Sequence, residues 1–202
     1  IESSQWIADA SKLVDKWYNP TLTLIYLPHL DYCLQKFGND FSLIKKELNE
    51  IDKVCSSLIN FYETKGAEIL LLSEYGITDV SNPVHLNRIF REEGLLQIRT
   101  ERGLELLDAG ASKAFAVADH QVAHIYINDD SVAPKIKSIV SALPGVAAVL
   151  DREAQKKYHI DHERAGDLVL MADAQSWFTY YFWNDDVLAP DYARVVDIHK
   201  KP

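Results

Sequence analysis

Cysteine is scarce in this 202-residue chain. Cys33 and Cys55 are its only two, too few for a disulfide framework, and Cys55 falls on the apolar face of an expected helix, where a buried thiol is the simpler reading. That scarcity leans towards a cytoplasmic setting. No run of about 18 apolar residues occurs, so no membrane-spanning helix is expected, and the start has no basic, apolar leader. Positive charge is also short: 21 Lys and Arg against 30 Asp and Glu leave a formal net charge of -9. This excludes broad binding to phosphate backbones, which needs clustered cations to release counterions. Repeats and low-complexity stretches are missing as well. The chain opens at Ile1 rather than Met and stops at Lys200-Lys201-Pro202, which reads as a piece cut from a longer protein.

What is present is an ordinary globular composition, 48% hydrophobic and 25% charged, enough to bury a core in one domain or in one domain with a subdomain. Trp6 to Trp17 has helical apolar spacing that Pro20 ends. Thr21 to Leu27 reads as a buried strand, Phe41 to Lys65 as an amphipathic helix closed by Gly66, and Ala67 to Leu72 as a second strand. Strand, helix and strand make a crossover whose default is parallel and right-handed. Pro83 to Glu93 follows as a short helix, then a hairpin of Leu95 to Arg99 with Leu104 to Leu107. Strands are expected at Ala114 to Ala118, His124 to Asn128, Val146 to Leu150, Asp167 to Ala172, Trp177 to Phe182 and Tyr192 to Ile198, with a helix at Ser131 to Leu143. The fold class is α/β: a core sheet with flanking helices, interrupted by a small α/β cap. Its boundaries are placed at 1–93 for the core, 94–183 for the cap and 184–202 for the return to the core.

Three residues able to bind metal lie just beyond strand-like runs: Asp31, Glu74 and His199. In open α/β sheets the loops at the carboxyl ends of strands converge on one crevice, so these positions suggest a metal-centred site.

The segment from Tyr26 to Gly38, YLPHLDYCLQKFG, resembles the metal motif of the type I phosphodiesterase and nucleotide pyrophosphatase family of the alkaline phosphatase superfamily. Leu72-Ser73-Glu74-Tyr75-Gly76-Ile77 looks like that family's Ser-Asp-His-Gly element, and Asp197 to Pro202 resembles the segment with its last metal-binding His. The resemblance implies an alkaline-phosphatase-like core and a hydrolase of phosphodiester or pyrophosphate bonds in nucleotide-like small molecules. It implies that Asp31 and His199 share a divalent metal, with Gln35 where the family has a His. Glu74 and Tyr75 stand where the family places an Asp and a His on a second metal. Zinc is the ion it implies, as one or two ions, and His29 is an alternative ligand from a shifted loop. Gln35 and Tyr75 depart from the family pattern, because an amide is a poor neutral ligand and a phenol binds metal well only as phenolate. The family's nucleophile, a Thr or Ser on an earlier strand, has no counterpart here. It is expected in a missing N-terminal part of the same protein, which leaves the fragment inactive.

Simpler readings stand beside each of these. Asp31 could be a helix-capping acid, Glu74-Tyr75 a strand end, and His199 part of a basic tail. Asp119-His120-Gln121-Val122-Ala123-His124 could place His120 in a loop near the site, or both imidazoles on one half-buried strand. Arg164, in a polar turn, could contact substrate phosphate or simply pair with a neighbouring acid. The aromatic run Trp177 to Trp183 could stack a nucleobase, though filling a core is the commoner role. A non-catalytic binding domain with a degenerate metal site, and a phosphoryl-group transferase, are the competing functions.

Overall fold

The computed structural model describes residues 2–195. They form two compact units, one running to Asp79 and the other starting at Val80. The sequence reading puts its first boundary at 93/94. The units divide earlier because Asn82–Val84 pairs in parallel with Ser176–Phe178, which ties the intervening residues to the second unit.

The first unit contains α1 (Glu2–Tyr18), α2 (Asp31–Phe37) and α3 (Lys45–Glu63). Ala8 of α1 joins Val54 and Leu58 of α3 in one apolar cluster, with Ile25, Leu27, Ile51 and Tyr62 packed around it. The buried Asp15 is paired with Lys65, just beyond α3. α3 starts later than the expected Phe41 because the Asp40 carboxylate accepts from both the backbone N–H and the hydroxyl of Ser42, holding a turn ahead of the helix. Gly38 ends α2 at a φ of 62°, and a Cβ there would collide with the Asp79 carboxylate.

The two strands expected in this unit need correction. Neither 21–27 nor 67–72 forms a ladder with any described residue, so the parallel crossover is not realised among them. Burial along 22–27 still alternates as in a strand: Thr23, Ile25 and Leu27 are half-buried, whereas Leu22, Leu24 and Tyr26 are exposed.

The second unit begins with β1 (Asn82–Val84) and α4 (Leu86–Glu92), followed by the hairpin β2 (Ile98–Glu101) and β3 (Leu104–Leu107). Next come β4 (Ala114–Asp119), β5 (Val122–Ile127), α5 (Ala133–Ser141), β6 (Val146–Leu150), α6 (Arg152–Lys157), β7 (Leu168–Ala172) and β8 (Ser176–Phe178). The main sheet has the order β4-β5-β7-β6, antiparallel throughout. Phe90, Leu86, Ile125, Ile136, Val140 and Leu170 are fully buried in its core. The aromatic run does not continue as a strand past Phe178; Phe178, Phe182 and Trp183 fill the core and Tyr180 faces solvent. The strand expected at 192–198 is instead helical, α7 (Asp191–Val195), and the remainder lies outside the described residues.

The edge of this sheet is closed by one side chain. Asn87, 2% exposed, donates to the Ala116 carbonyl at 2.8 Å and accepts from the Ala116 N–H at 2.7 Å, so its amide stands in for a neighbouring strand on β4. Asn87→Ala would strand both backbone groups in the interior. It is expected to lower the unfolding free energy by about 2–4 kcal/mol, read as a lower urea midpoint.

Candidate active site

α2 begins at Asp31, and the helical step puts Gln35 one turn on, on the same face. Gln35 Nε2 lies 3.0 Å from each carboxylate oxygen of Asp31 and donates to them. Across a separation of 44 residues, the Tyr75 hydroxyl donates to Asp31 Oδ1 at 2.9 Å. A carboxylate in the first turn of a helix also faces the positive end of the backbone dipole. Asp31 is half-buried, whereas Gln35 and Tyr75 are exposed, so the cluster opens to solvent. Three of the residues singled out in the sequence are therefore brought together.

The hydrogen bond to Asp31 and then the carboxylate's charge push the Tyr75 phenol above its ordinary value, with smaller contributions from burial, Tyr26 and Glu74. A raised folded-state value means that this bond supports the fold at pH below the ordinary phenol range of about 10 and is lost as pH rises through the raised value. The ultraviolet difference titration of the unaltered chain against Tyr75→Phe should show one phenol ionising late. Asp31→Asn should bring it back towards the ordinary range; an unchanged titration would mean the contact is not formed in solution.

The other candidates fall elsewhere. Glu74 is exposed beside Tyr75 and makes no hydrogen bond or ion pair with a described residue. His29 is corrected as an alternative ligand at this cluster: its side chain is 4% exposed and turned inward, with Nδ1 3.3 Å from Ser4 Oγ and Nε2 3.9 Å from Glu50 Oε2. His199 lies outside the described residues. His120 and Arg164 belong to the second unit. His120 sits at a φ of 53° in the exposed β4–β5 turn, 3.6 Å from Asp119, and His124 accepts from the Gly166 N–H. Arg164 is exposed; the ion pair in its turn is made by Arg152 with Asp167 instead. Both cysteines are free thiols, and burial raises the Cys33 thiol, whose Sγ donates to the Leu30 carbonyl.

Two features escaped the sequence. α2 was missed because seven residues carry too little apolar periodicity, although the Asp31–Gln35 spacing fits one turn of helix. The buried Ser4, His29 and Glu50 contacts join three separate segments and leave no local spacing to find.

The described donors do not fit a zinc pair. The cluster offers one carboxylate, one neutral amide that is donating rather than accepting, and a phenol held in its protonated form. Among the described residues no group of three or more His, Cys, Asp or Glu side chains could hold a metal ion. No described helix is long and apolar enough to cross a membrane.

The sequence model of the type I phosphodiesterase / nucleotide pyrophosphatase family matches residues 2–200. Among solved structures, phosphonoacetate hydrolase from Sinorhizobium meliloti superposes with a TM-score of 0.58 at 18% identity, over 93% of this chain and 45% of that one. A murine ectonucleotide pyrophosphatase / phosphodiesterase gives a TM-score of 0.58 at 16% identity, over 89% of this chain and 46% of that one. The chain thus spans less than half the length of either structure. No curated protein matches it. At these identities the likeness to solved structures speaks to the fold alone, an alkaline-phosphatase-like arrangement of sheet and helices.

Proposed function

The chain belongs to the type I phosphodiesterase / nucleotide pyrophosphatase family, and from that premise we propose that it is one portion of a hydrolase of phosphodiester or pyrophosphate bonds in nucleotide-like small molecules. The observation that supports this reading is the meeting of Asp31 and Gln35 of α2 with Tyr75 from a separate segment, positions to which the family resemblance gives metal-ligand roles. Asp31 is the one charged member of the cluster. A carboxylate repels a phosphate anion across a short gap unless a cation lies between them, so an Asp at such a site calls for a divalent cation. The rest of that cation's ligands are then Glu74, which neighbours Tyr75 in sequence, and residues outside the described ones, of which His199 is the candidate the sequence offers.

Within this portion, Gln35 and Tyr75 hold the Asp31 carboxylate in one orientation. Tyr75 keeps its proton, so it serves as a neutral donor. No described residue is placed as a nucleophile, and the proposal assigns that group to further chain of the parent protein. The substrate class is taken from the family description, type I phosphodiesterase / nucleotide pyrophosphatase.

A second reading has its own support. Gln35 and Tyr75 both donate to Asp31, so its acceptor capacity is largely filled, as expected of a binding domain that has given up its metals. Turnover separates the two. The 202-residue chain should hydrolyse neither bis(p-nitrophenyl) phosphate nor a dinucleotide pyrophosphate, whereas the longer parent polypeptide, supplied with a divalent cation, should hydrolyse at least one. Binding of both without turnover by the parent would favour the second reading, and substantial turnover by the isolated chain would mean its nucleophile has been overlooked.

A further inference from the structure

Two arginines of α4, nearly one turn apart, are treated differently by the second unit. Arg91 is closed: its Nη1 and Nη2 donate to the two carboxylate oxygens of the buried Glu105 at 2.6 and 2.8 Å. Arg88 is held but not closed. Its Nε donates to the Trp183 carbonyl at 2.6 Å, and its guanidinium lies over the Tyr181 ring, 5.2 Å from the centroid. The carboxylate it faces, that of Asp186, stays 3.7 Å from Nη2, is 90% exposed and already accepts from Trp183 Nε1. Neither Nη group of Arg88 makes a hydrogen bond with a described residue.

His85 repeats the pattern beside it. Its Nδ1 is 2.8 Å from Oγ1 of Thr179, itself 5% exposed, and its ring stacks on Tyr181 with centroids 5.8 Å apart and planes 19° apart. Burial, and then the Arg88 charge, push this imidazole below its ordinary value, so it is neutral at neutral pH. A Thr179 hydroxyl that donates to Nδ1 leaves the proton on Nε2, which is then a free donor. Like the Arg88 Nη groups, Nε2 and the Tyr181 hydroxyl have no hydrogen bond to a described residue. All these contacts lie within the second unit, whose core is filled by its own side chains.

Fixing an Arg side chain costs up to about 2 kcal/mol of rotamer freedom, which a guanidinium serving only as surface charge does not require. A fork locked at Nε with both Nη groups unspent is instead the form that grips an oxyanion through two parallel bonds. The donors of Arg88, His85 and Tyr181 around one ring outnumber the two oxygens of a carboxylate and suit the three of a terminal phosphoryl group. Tyr180, 55% exposed and with its ring 5.6 Å from that of Tyr181, adds an aromatic face beside them.

We propose that Arg88, His85 and Tyr181 form a binding site for the terminal phosphoryl group of a small molecule, whose planar organic part lies against Tyr180. The inference assigns no reaction to these residues and stands apart from the proposed hydrolysis. Asp186 limits the affinity, because an exposed carboxylate beside Arg88 repels an incoming anion.

Phenyl phosphate is the probe, titrated calorimetrically into the 202-residue chain. It should bind at one site, and it should shift the ring resonances of His85 while leaving those of the exposed His159 and His162 in place. Arg88→Lys keeps the charge but loses the fork, and should weaken binding by about tenfold. Asp186→Asn should tighten it by about threefold, since the amide oxygen can still accept from Trp183 while the repulsion is gone. Arg99→Gln, at an exposed position on β2, should change nothing. If Arg88→Lys lowers the thermal midpoint too far to be read, the Asp186→Asn gain and the His85 shift decide. Binding that never saturates would overturn the proposal, as would equal weakening by Arg99→Gln, an unmoved His85 ring, or benzoate binding as tightly as phenyl phosphate.

Discussion

In the longer parent polypeptide, Asp31→Asn is expected to lower phosphodiester hydrolysis by about 10²–10³-fold while leaving the thermal midpoint nearly unchanged. Asparagine preserves the shape of the side chain and can still accept a hydrogen bond from Tyr75 and Gln35, so the cluster's geometry persists. What disappears is the negative charge, and with it the demand for a cation opposite a phosphate. The stability cost is small because Asp31 is only half-buried and its favourable position at the start of α2 is worth about 0.3–1 kcal/mol. Tyr75→Phe should have a milder effect, because Gln35 still binds both carboxylate oxygens. An equal loss in both variants would point to Tyr75 as the working group and Asp31 as its support.

Phe90→Ala should destabilise the second unit by about 3–5 kcal/mol. Phe90 is fully buried on α4 within the cluster that includes Leu86, Ile125 and Leu170, so losing its ring leaves a cavity in that core. For a unit whose total stability is of the order of 5–15 kcal/mol, that is a large fraction. Trp183 gives a direct readout, since it is buried in the same cluster against the Phe182 ring, with centroids 5.1 Å apart. Trp6 and Trp17, in the first unit, are 71% and 66% exposed and should contribute little change. Urea unfolding followed by tryptophan emission should therefore show a transition shifted to lower denaturant. A midpoint within error of the unaltered chain would contradict the assigned core.

Much of the fold was legible wherever one segment carried its whole signal. The apolar stripes of α1 and α3 announced helices, and Arg102-Gly103 between two apolar runs announced the β2–β3 hairpin. The segments at 21–27 and 67–72 show the limit of this reasoning. An apolar, β-branched run records that burial is required but not which chain supplies it, and among the described residues these two remain unpaired. The end of the chain shows a different limit. Tyr192 to Ile198 looks like a strand by composition, yet Asp191 following Pro190 starts a short helix, because local turn geometry outweighs a handful of β-formers.

The candidate site was legible through the family resemblance rather than through spacing. Asp31 and Tyr75 are 44 residues apart, and nothing local connects them; only the order of motifs placed both at one site. His29 was misjudged because proximity to Asp31 in sequence says nothing about which way a side chain turns. Here the ring is buried, with Nδ1 hydrogen-bonded to Ser4 Oγ at 3.3 Å and Nε2 3.9 Å from Glu50 Oε2, beyond hydrogen-bond range. Gln35 and Tyr75 stand in the sequence as departures from the family's metal-ligand pattern. What the sequence could not convey is that the two departures act together, both spending their protons on the same carboxylate.

The measurement that bears most directly on the proposed activity is turnover of a dinucleotide pyrophosphate by the longer parent polypeptide in water enriched in heavy oxygen, with the products weighed by mass spectrometry. Hydrolysis predicts one heavy oxygen on a phosphate of the released mononucleotides, and loss of that product in Asp31→Asn. Products free of heavy oxygen and joined to another acceptor, or tight binding of the substrate with no product at all, would contradict it.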